Sequence, residues 1–483
     1  MKGGVVLNFF VIVLYLINLI FSLFLIFYRE KDTSVTWAWL LVFLFLPYIG
    51  FFLYLFFGYG LSDKQKFNVE NHHVQALEKT DGFMTPNIQS FSFPKKEESP
   101  DKHFFYSLNR LPVSHHNQVT LITDGQKKLE LLKKDLRAAK QTIHIQYYAF
   151  VTDETGLSLL DILVEKAKEG LQVKLLYDEM GSKGIKKELL QPSIDAGGEV
   201  SNFLTSQQML LKFRMNYHAH RKIVVIDNEI SYTGGFNISN QYVIPTEPFG
   251  YWRDTHIRIL GPASLLLQLQ FISDWNVSVP NIKRIDYTPN FFKQQTDTSQ
   301  ADTDIYVISS GPDNDKQQIK LAFVKEILSA KERIWIQTPY LIPDPTIIDA
   351  LEIAKRSGVD VKIMVPNKPD HPFIYRATQF YSRLLLEKDI EIYSYNGGFL
   401  HSKVLIKDDK TSIVGSANQD IRSYKLNFET SVVLSDLTMN ASLSEAFEND
   451  LQKSTKLTLE TFNNMSLWIR FKQKISRLFS PIM

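Results

Sequence analysis

His220-Arg221-Lys222-Ile-Val-Val-Ile-Asp227 is followed six residues later by Gly234-Gly235-Phe236-Asn237. His401-Ser402-Lys403-Val-Leu-Ile-Lys-Asp408 is followed at the same interval by Gly415-Ser416-Ala417-Asn418. Both copies read His-x-Lys-x4-Asp-x6-Gly-(Gly/Ser)-x-Asn. A neutral imidazole, with an unperturbed pKa of ~6.5, is a nucleophile near pH 7, and its protonated form is an acid. Lysines add fixed positive charge and asparagines add amide donors. On extended chain, alternate side chains share a face, so His220 and Lys222 should point together, as should His401 and Lys403. The candidate catalytic set is therefore His220, Lys222 and Asp227 with His401, Lys403 and Asp408. Within it, Asp227 and Asp408 fall at the far end of an apolar run and are assigned to local structure rather than bond making. A single His-x-Lys on a strand is usually an exposed pair; two copies sharing the same downstream Gly and Asn make that reading hard to sustain.

The elements around the motifs repeat as well. Ala139-Lys140-Gln-Thr-Ile143-His-Ile145-Gln146 lines up with Ala330-Lys331-Glu-Arg-Ile334-Trp-Ile336-Gln337, and Asp153 with Asp344. Helix feeding strand, twice, predicts an α/β fold of two pseudo-symmetric halves with mainly parallel sheets. Asp254-Thr255 and Glu429-Thr430 occupy matching places after the two Asn positions. A carboxylate accepting the second imidazole N–H would orient a reactive histidine, so Asp254 and Glu429 are candidates.

Length and charge bound the rest. At 483 residues the chain is long enough for more than one domain. Its 54 Lys plus Arg against 52 Asp plus Glu give +2, which argues against a nucleic-acid partner, and the absence of Cys excludes disulfides and thiolate chemistry. Val5 to Tyr28 and Trp37 to Phe57 are uncharged runs of 24 and 21 residues, each long enough to span a bilayer. They predict an N-terminal transmembrane hairpin joined by Arg29-Glu30-Lys31-Asp32, with Trp37, Trp39, Tyr54 and Tyr59 near the interfaces. Lys2, Lys64 and Lys66 bias both termini towards the cytoplasm. The expected organisation is a hairpin over 1–62, a connector over 63–120, a first half over 121–292, a linker over 293–304 and a second half over 305–483. The last residues, with Leu467, Trp468, Phe471, Ile475, Leu478 and Phe479 on one helical face, four basic residues and no acid, suit a helix lying on anionic lipid. They suit equally an amphipathic helix packed on the domain.

The duplicated motif resembles the signature of the phospholipase D superfamily. The hairpin with Trp37-Ala38-Trp39-Leu40-Leu41, together with Gly250-Tyr251-Trp252-Arg253-Asp254-Thr255-His256, Ile336-Gln337-Thr338-Pro339-Tyr340, Arg422-Ser423-Tyr424-Lys425-Leu426-Asn427-Phe428-Glu429 and Arg477-Leu478-Phe479-Ser480-Pro481, is similar to bacterial cardiolipin synthases over nearly the whole chain. One departure is Ala219, where those enzymes commonly carry Asn; His218 is another. The resemblance implies a multi-pass bacterial membrane phosphatidyltransferase with phosphatidylglycerol and anionic membrane lipids as partners. One phosphatidylglycerol would donate its phosphatidyl group through a phosphohistidine, and a second would accept it. Asn237 and Asn418 would contact the phosphate, and no metal or other cofactor is implied. Each acid would serve the opposite half, Glu429 with His220 and Asp254 with His401. The superfamily's more frequent use of the first copy favours His220 as nucleophile. A phospholipase-type hydrolase and a non-catalytic lipid-binding scaffold are the alternatives.

Overall fold

The computed structural model describes residues 2–27, 33–58, 63–84, 90–97, 99–204, 216–288, 296 and 298–480. The predicted hairpin loop Arg29-Glu30-Lys31-Asp32, Tyr59, part of the 293–304 linker and Pro481 lie outside those residues.

Helix α1 (Lys2–Phe27) covers the first apolar run. The second run is not one helix: α2 (Thr33–Phe45) stops before Pro47, and a short turn of helix, Gly50–Leu53, continues into a π-helical turn, Tyr54–Gly58. Proline has no N–H to donate and its ring crowds the preceding turn, so the ladder breaks there. The Asn18 side chain donates to the Pro47 carbonyl at 2.8 Å, satisfying one group the break releases. Trp39, Phe43 and Tyr54 pack with Leu25 between the segments. Among the described residues no helix is long and apolar enough to cross a membrane; in α1, the side chains of residues 2–8 and 10 lie outside that set.

The stretch read as a connector holds α3 (Asp63–Met84), a helix over Pro100–Asn109 and most of β1 (Val113–Ile122). The first half continues with α4 (Gly125–Ala138), β2 (Thr142–Tyr147), α5 (Glu154–Lys168), β3 (Gln172–Tyr177), β4 (Glu199–Asn202), β5 (Ile223–Ile226), β6 (Ile230–Gly234), β7 (Trp252–Arg253), β8 (His256–Leu260) and α6 (Ala263–Ser278). The second half repeats the plan: β9 (Thr303–Ser310), α7 (Gln318–Ser329), β10 (Arg333–Gln337), α8 (Pro345–Arg356), β11 (Asp360–Pro366), α9 (Pro372–Leu386), β12 (Glu391–Tyr395), β13 (Phe399–Leu400), β14 (Val404–Lys407), β15 (Thr411–Gly415), β16 (Glu429–Ser435), α10 (Leu437–Leu451), β17 (Ser454–Lys456) and α11 (Leu467–Phe479). The aligned Asp153 and Asp344 cap α5 and α8 by accepting from Gly156 N and Ile347 N.

The halves share one sheet, ordered β17-β12-β11-β10-β14-β15-β16-β9-β1-β8-β6-β5-β2-β3-β4 and joined where β9 pairs with β1. Pairing is parallel from β2 to β3 and β3 to β4, and from β10 to β11 and β11 to β12, where helices make the crossovers, and β17 adds antiparallel to β12 at the edge. Short turns join β5 to β6 and β14 to β15, so those pairs are antiparallel. The halves are thus α/β units in which each motif strand feeds a hairpin. Buried Ile, Val and Leu from these strands and the facing helices make the cores that hold the motifs still.

Candidate functional site

The two His-x-Lys segments are extended, but they lie just ahead of β5 and β14 rather than on them. What fixes them is a pairing across the halves that repeats with pseudo-two-fold symmetry. Ala219 forms a parallel bridge with Phe428, and His220 N donates to Phe428 O at 2.9 Å. In the mirror position β13 pairs with β7, and His401 N donates to Arg253 O at 2.7 Å. In each case the residue before the histidine pairs with the residue before the acid of the other half. That register sets each acid beside the opposite imidazole.

The distances follow. His220 Nδ1 is 2.9 Å from Glu429 Oε2, and His401 Nδ1 is 2.6 Å from Asp254 Oδ2. Both carboxylates are fully buried. Lys222 Nζ donates to His220 O at 2.6 Å, and Lys403 Nζ donates to His401 O. Tyr148 lies edge-on to His220, with ring centroids 4.8 Å apart, while Tyr242 and Trp252 flank His401.

Electrostatics tie the groups together. Burial, reinforced by Lys403, pushes His401 down to about 4 against the pull of Asp254; burial also lowers His220, against Glu429. Lys403 lowers His220 and Lys222 lowers His401, so each ammonium's field reaches the imidazole of the other half. Burial lowers Lys222 to about 7 and Lys403 to about 8, although Glu429 and Asp254 pull both upwards. For the acids burial alone would raise the pKa, but lysine and histidine together outweigh it, Lys403 and His401 for Asp254, His220 and Lys222 for Glu429. Both carboxyls stay below the usual range. The arrangement is two imidazoles, each backed by a buried carboxylate, beside two buried lysines whose charged form desolvation disfavours.

The glycine-rich turns close the site. A Cβ on Gly235 would sit 2.0 Å from Asp254 Oδ1, so only glycine fits against that carboxylate. Ser416 occupies the equivalent place in the other half, and its hydroxyl donates to Glu429 Oε2. Asn237 and Asn418 follow. Asn237 Nδ2 donates to the Tyr242 hydroxyl at 2.7 Å and Asn418 Nδ2 to Asp420 at 3.1 Å. One N–H of each amide is thereby committed to protein.

Asp227 and Asp408 are not in this set, which corrects their inclusion among the catalytic candidates. Each sits beyond its four-residue strand in a left-handed turn, at φ 52° and 45°. The Asp227 carboxylate accepts the backbone N–H groups of Lys140, Gln141 and Thr142; Asp408 accepts those of Lys331, Glu332 and Arg333. They anchor the starts of β2 and β10. Ala219 is buried, with its N–H donating to Asp178 at 2.9 Å, and the His218 carbonyl accepts from Phe428 N. Both departures lie on the inter-half bridge itself.

Four further residues went unread in the sequence. Arg221 Nη1 lies 2.5 and 2.7 Å from the two oxygens of Asp274, while its Nε donates to Glu429 O at 3.2 Å. Arg253 Nε lies 2.9 Å from Asp450, and its Nη1 donates to Asp254 O. Each guanidinium thus holds the backbone carbonyl of one histidine's acid. Gln146 and Gln337 donate to Asp274 and Asp450, both at 2.8 Å. The repeated Gln146 and Gln337 were the available signal; a lone buried Arg in two unequal positions was not. Removing one partner strands a buried charge, which costs about 3–5 kcal/mol. Asp450→Asn is therefore expected to lower unfolding stability by that amount, with equilibrium unfolding as the check.

Comparison with known proteins agrees with this architecture. A family model described as "Cardiolipin synthase, PLD-like domain" matches residues 132–247 and 323–451, and one described as "Phospholipase_D-nuclease N-terminal" matches 6–58. The chain is 42 % identical over 482 residues to a cardiolipin synthase of Listeria welshimeri, with 99 % of each covered. It is 41 % identical over 474 residues to the major cardiolipin synthase of Bacillus subtilis, covering 97 % of this chain and 98 % of that one. In fold it is similar to the crystal structure of phosphatidylserine synthase from Haemophilus influenzae, with a TM-score of 0.61 at 16 % identity, covering 80 % of this chain and all of the other. With twin histidine motifs paired across two halves and a full-length match of this kind, the chain belongs to the bacterial cardiolipin synthases, phosphatidyltransferase enzymes of the phospholipase D superfamily.

Proposed function

We propose that the chain makes cardiolipin from two phosphatidylglycerols, releasing glycerol, through a phosphohistidine on His220. The observation that carries this reading is the reciprocal pairing of His220 with Glu429 and His401 with Asp254. Each acid occupies Nδ1, which leaves Nε2 of each ring for chemistry. His401 first takes up a proton at Nε2 as the anionic substrate binds; His220 Nε2 then attacks phosphorus, the bond from phosphorus to the glycerol oxygen breaks, and His401 gives that proton to the departing alkoxide. The second phosphatidylglycerol then gives its hydroxyl proton to His401, its oxygen attacks phosphorus, and the bond to His220 breaks. Lys222, Lys403 and the remaining N–H of Asn237 and Asn418 hold the non-bridging oxygens. His220 is assigned the attack on the superfamily's more frequent use of the first copy. The halves at 121–292 and 305–483 each supply one histidine. The N-terminal hairpin anchors them in the bacterial membrane as a multi-pass segment, with both termini cytoplasmic.

Full-length protein in phosphatidylglycerol vesicles, with chelator present, should release glycerol and cardiolipin in equal amounts. Phosphatidic acid without cardiolipin would make the reaction a hydrolysis, and no turnover would leave a lipid-binding scaffold.

The lysines give this reaction a pH signature. A bound phosphodiester stabilises the ammonium forms, so the empty site binds it best when Lys222 and Lys403 are both protonated. As pH rises through about 7 and then about 8, the free enzyme loses those protons. kcat/KM should therefore fall by up to roughly tenfold per unit over that interval, while kcat, set by the loaded site, persists to higher pH. A kcat/KM that stays flat from pH 7 to 9 would contradict this account.

A further inference from the structure

Helix α11 packs inside out. Its sequence places Leu467, Trp468, Phe471, Ile475 and Leu478 on one face, the face that an amphipathic helix of a water-soluble domain turns inward. Here that face points outward: Leu467 is 81 % exposed, Trp468 62 %, Phe471 53 % and Leu478 52 %. The polar face is the buried one, with Gln473 at 4 % and Ser476 and Ser480 at 1 %. It lies against α9, where Gln473 Nε2 reaches Gln379 Oε1 at 3.2 Å and the Arg477 guanidinium stacks 5.0 Å from the Phe380 ring. The helix is held by its polar side, so its apolar side is left for something else.

We propose that this outward face of α11 lies in the surface of an anionic bilayer and sets the height of the catalytic halves above it. Three observations choose lipid over a protein partner. Residues 466–483 carry Arg470, Lys472, Lys474 and Arg477 and no acid, and Lys472 stands 5.1 Å over the Trp468 ring, at the edge of the apolar face. A basic rim around an aromatic and aliphatic face is the chemistry of an interfacial helix. The face also continues into the hairpin: Phe479 packs against the Leu25, Trp39, Val42, Phe43 and Tyr54 cluster, beside exposed Leu44, Phe45 and Phe52. Phe373, on α9 and 45 % exposed, meets Phe479 at 5.9 Å and extends the same surface.

From there a short path leads to the site. Thr378 of α9 accepts from Leu341 N; Leu341 and Ile342 pair with Gln419 and Asp420, which directly follow Asn418. Through α9, α11 is thus in contact with the segment that follows Asn418. The inference rests on the reading of the chain as a membrane enzyme acting on phosphatidylglycerol, and its test reads docking and chemistry separately.

Full-length protein in bilayers of phosphatidylglycerol and phosphatidylcholine, with acyl chains brominated near the headgroup, supplies the first readout. The difference in emission between the native chain and Trp468→Phe isolates one of the six tryptophans. It should be quenched by the brominated lipid and protected from aqueous iodide. The second readout is Leu467→Ser with Phe471→Ser. Exchange on bilayers should fall at least tenfold, chiefly through KM, while turnover of dispersed short-chain phosphatidylglycerol stays unchanged. Trp468 open to iodide and untouched by bromine, with normal exchange, would overturn the docking alone. Protection from both quenchers would mean a second copy or another protein covers the face, and would overturn it equally. Quenching by lipid without any exchange would sustain docking and overturn the reaction.

Discussion

His220→Ala and His401→Ala are each expected to cut phosphatidyl exchange by about four orders of magnitude or more, the scale on which nucleophile and proton-transfer losses are felt. The other groups of the motif are two lysines tied to the histidine carbonyls and two carboxylates tied to Nδ1 atoms, and burial keeps Tyr148 and Tyr242 beside the rings in their protonated form. The two variants should differ in kind. Without the attacking ring no acid-labile phosphoenzyme forms with any substrate. Without the protonating ring, a phosphodiester whose leaving group is a nitrophenolate, which departs without a proton, should still load the enzyme. Acid quenching of labelled substrate, compared across the two variants and two leaving groups, checks the division of labour. If the nitrophenyl substrate loads His220→Ala but not His401→Ala, the roles are reversed. Near-normal turnover in either variant would refute the two-histidine scheme outright.

Asp254→Asn and Glu429→Gln should lower turnover by roughly a hundredfold to ten-thousandfold, because a neutral amide neither fixes the tautomer nor stabilises the imidazolium. Each carboxylate is buried and kept ionised by lysine and histidine against its own desolvation, so losing the charge removes what balances a buried lysine. Gly235→Ala should reproduce the Asp254 defect without touching an ionisable group, since the added carbon would lie 2.0 Å from Oδ1 and force that carboxylate off His401. Ser416→Ala, at the matching place, removes a hydrogen bond to Glu429 and the hydroxyl that accepts from Thr430 N, and about a tenfold loss is expected. Turnover measured alongside unfolding midpoints separates displacement of the acid from general loss of folding. A Gly235→Ala enzyme as active as the native one would show that Asp254 need not stay where it lies.

Residue chemistry and repetition were readable along the chain. The twin His-x-Lys segments, their acids and the α/β plan are local patterns: two residues on one face, a helix period followed by a strand period, the same string twice. Even the turn role of Asp227 and Asp408 follows from their place past an apolar strand. Tertiary structure decided what meets what. Glu429 stands 209 residues from His220, and their contact exists because the halves share one sheet and, outside it, Ala219 bridges Phe428 while β13 pairs with β7. Arg221 and Arg253 sit at non-equivalent positions yet do equivalent jobs, which no alignment of the repeat predicts. Proline 47 broke a run whose hydropathy alone read as one helix. Hydropathy likewise gave α11 an apolar face without its direction, since periodicity measures the difference between two faces and only packing against α9 says which of them is turned away.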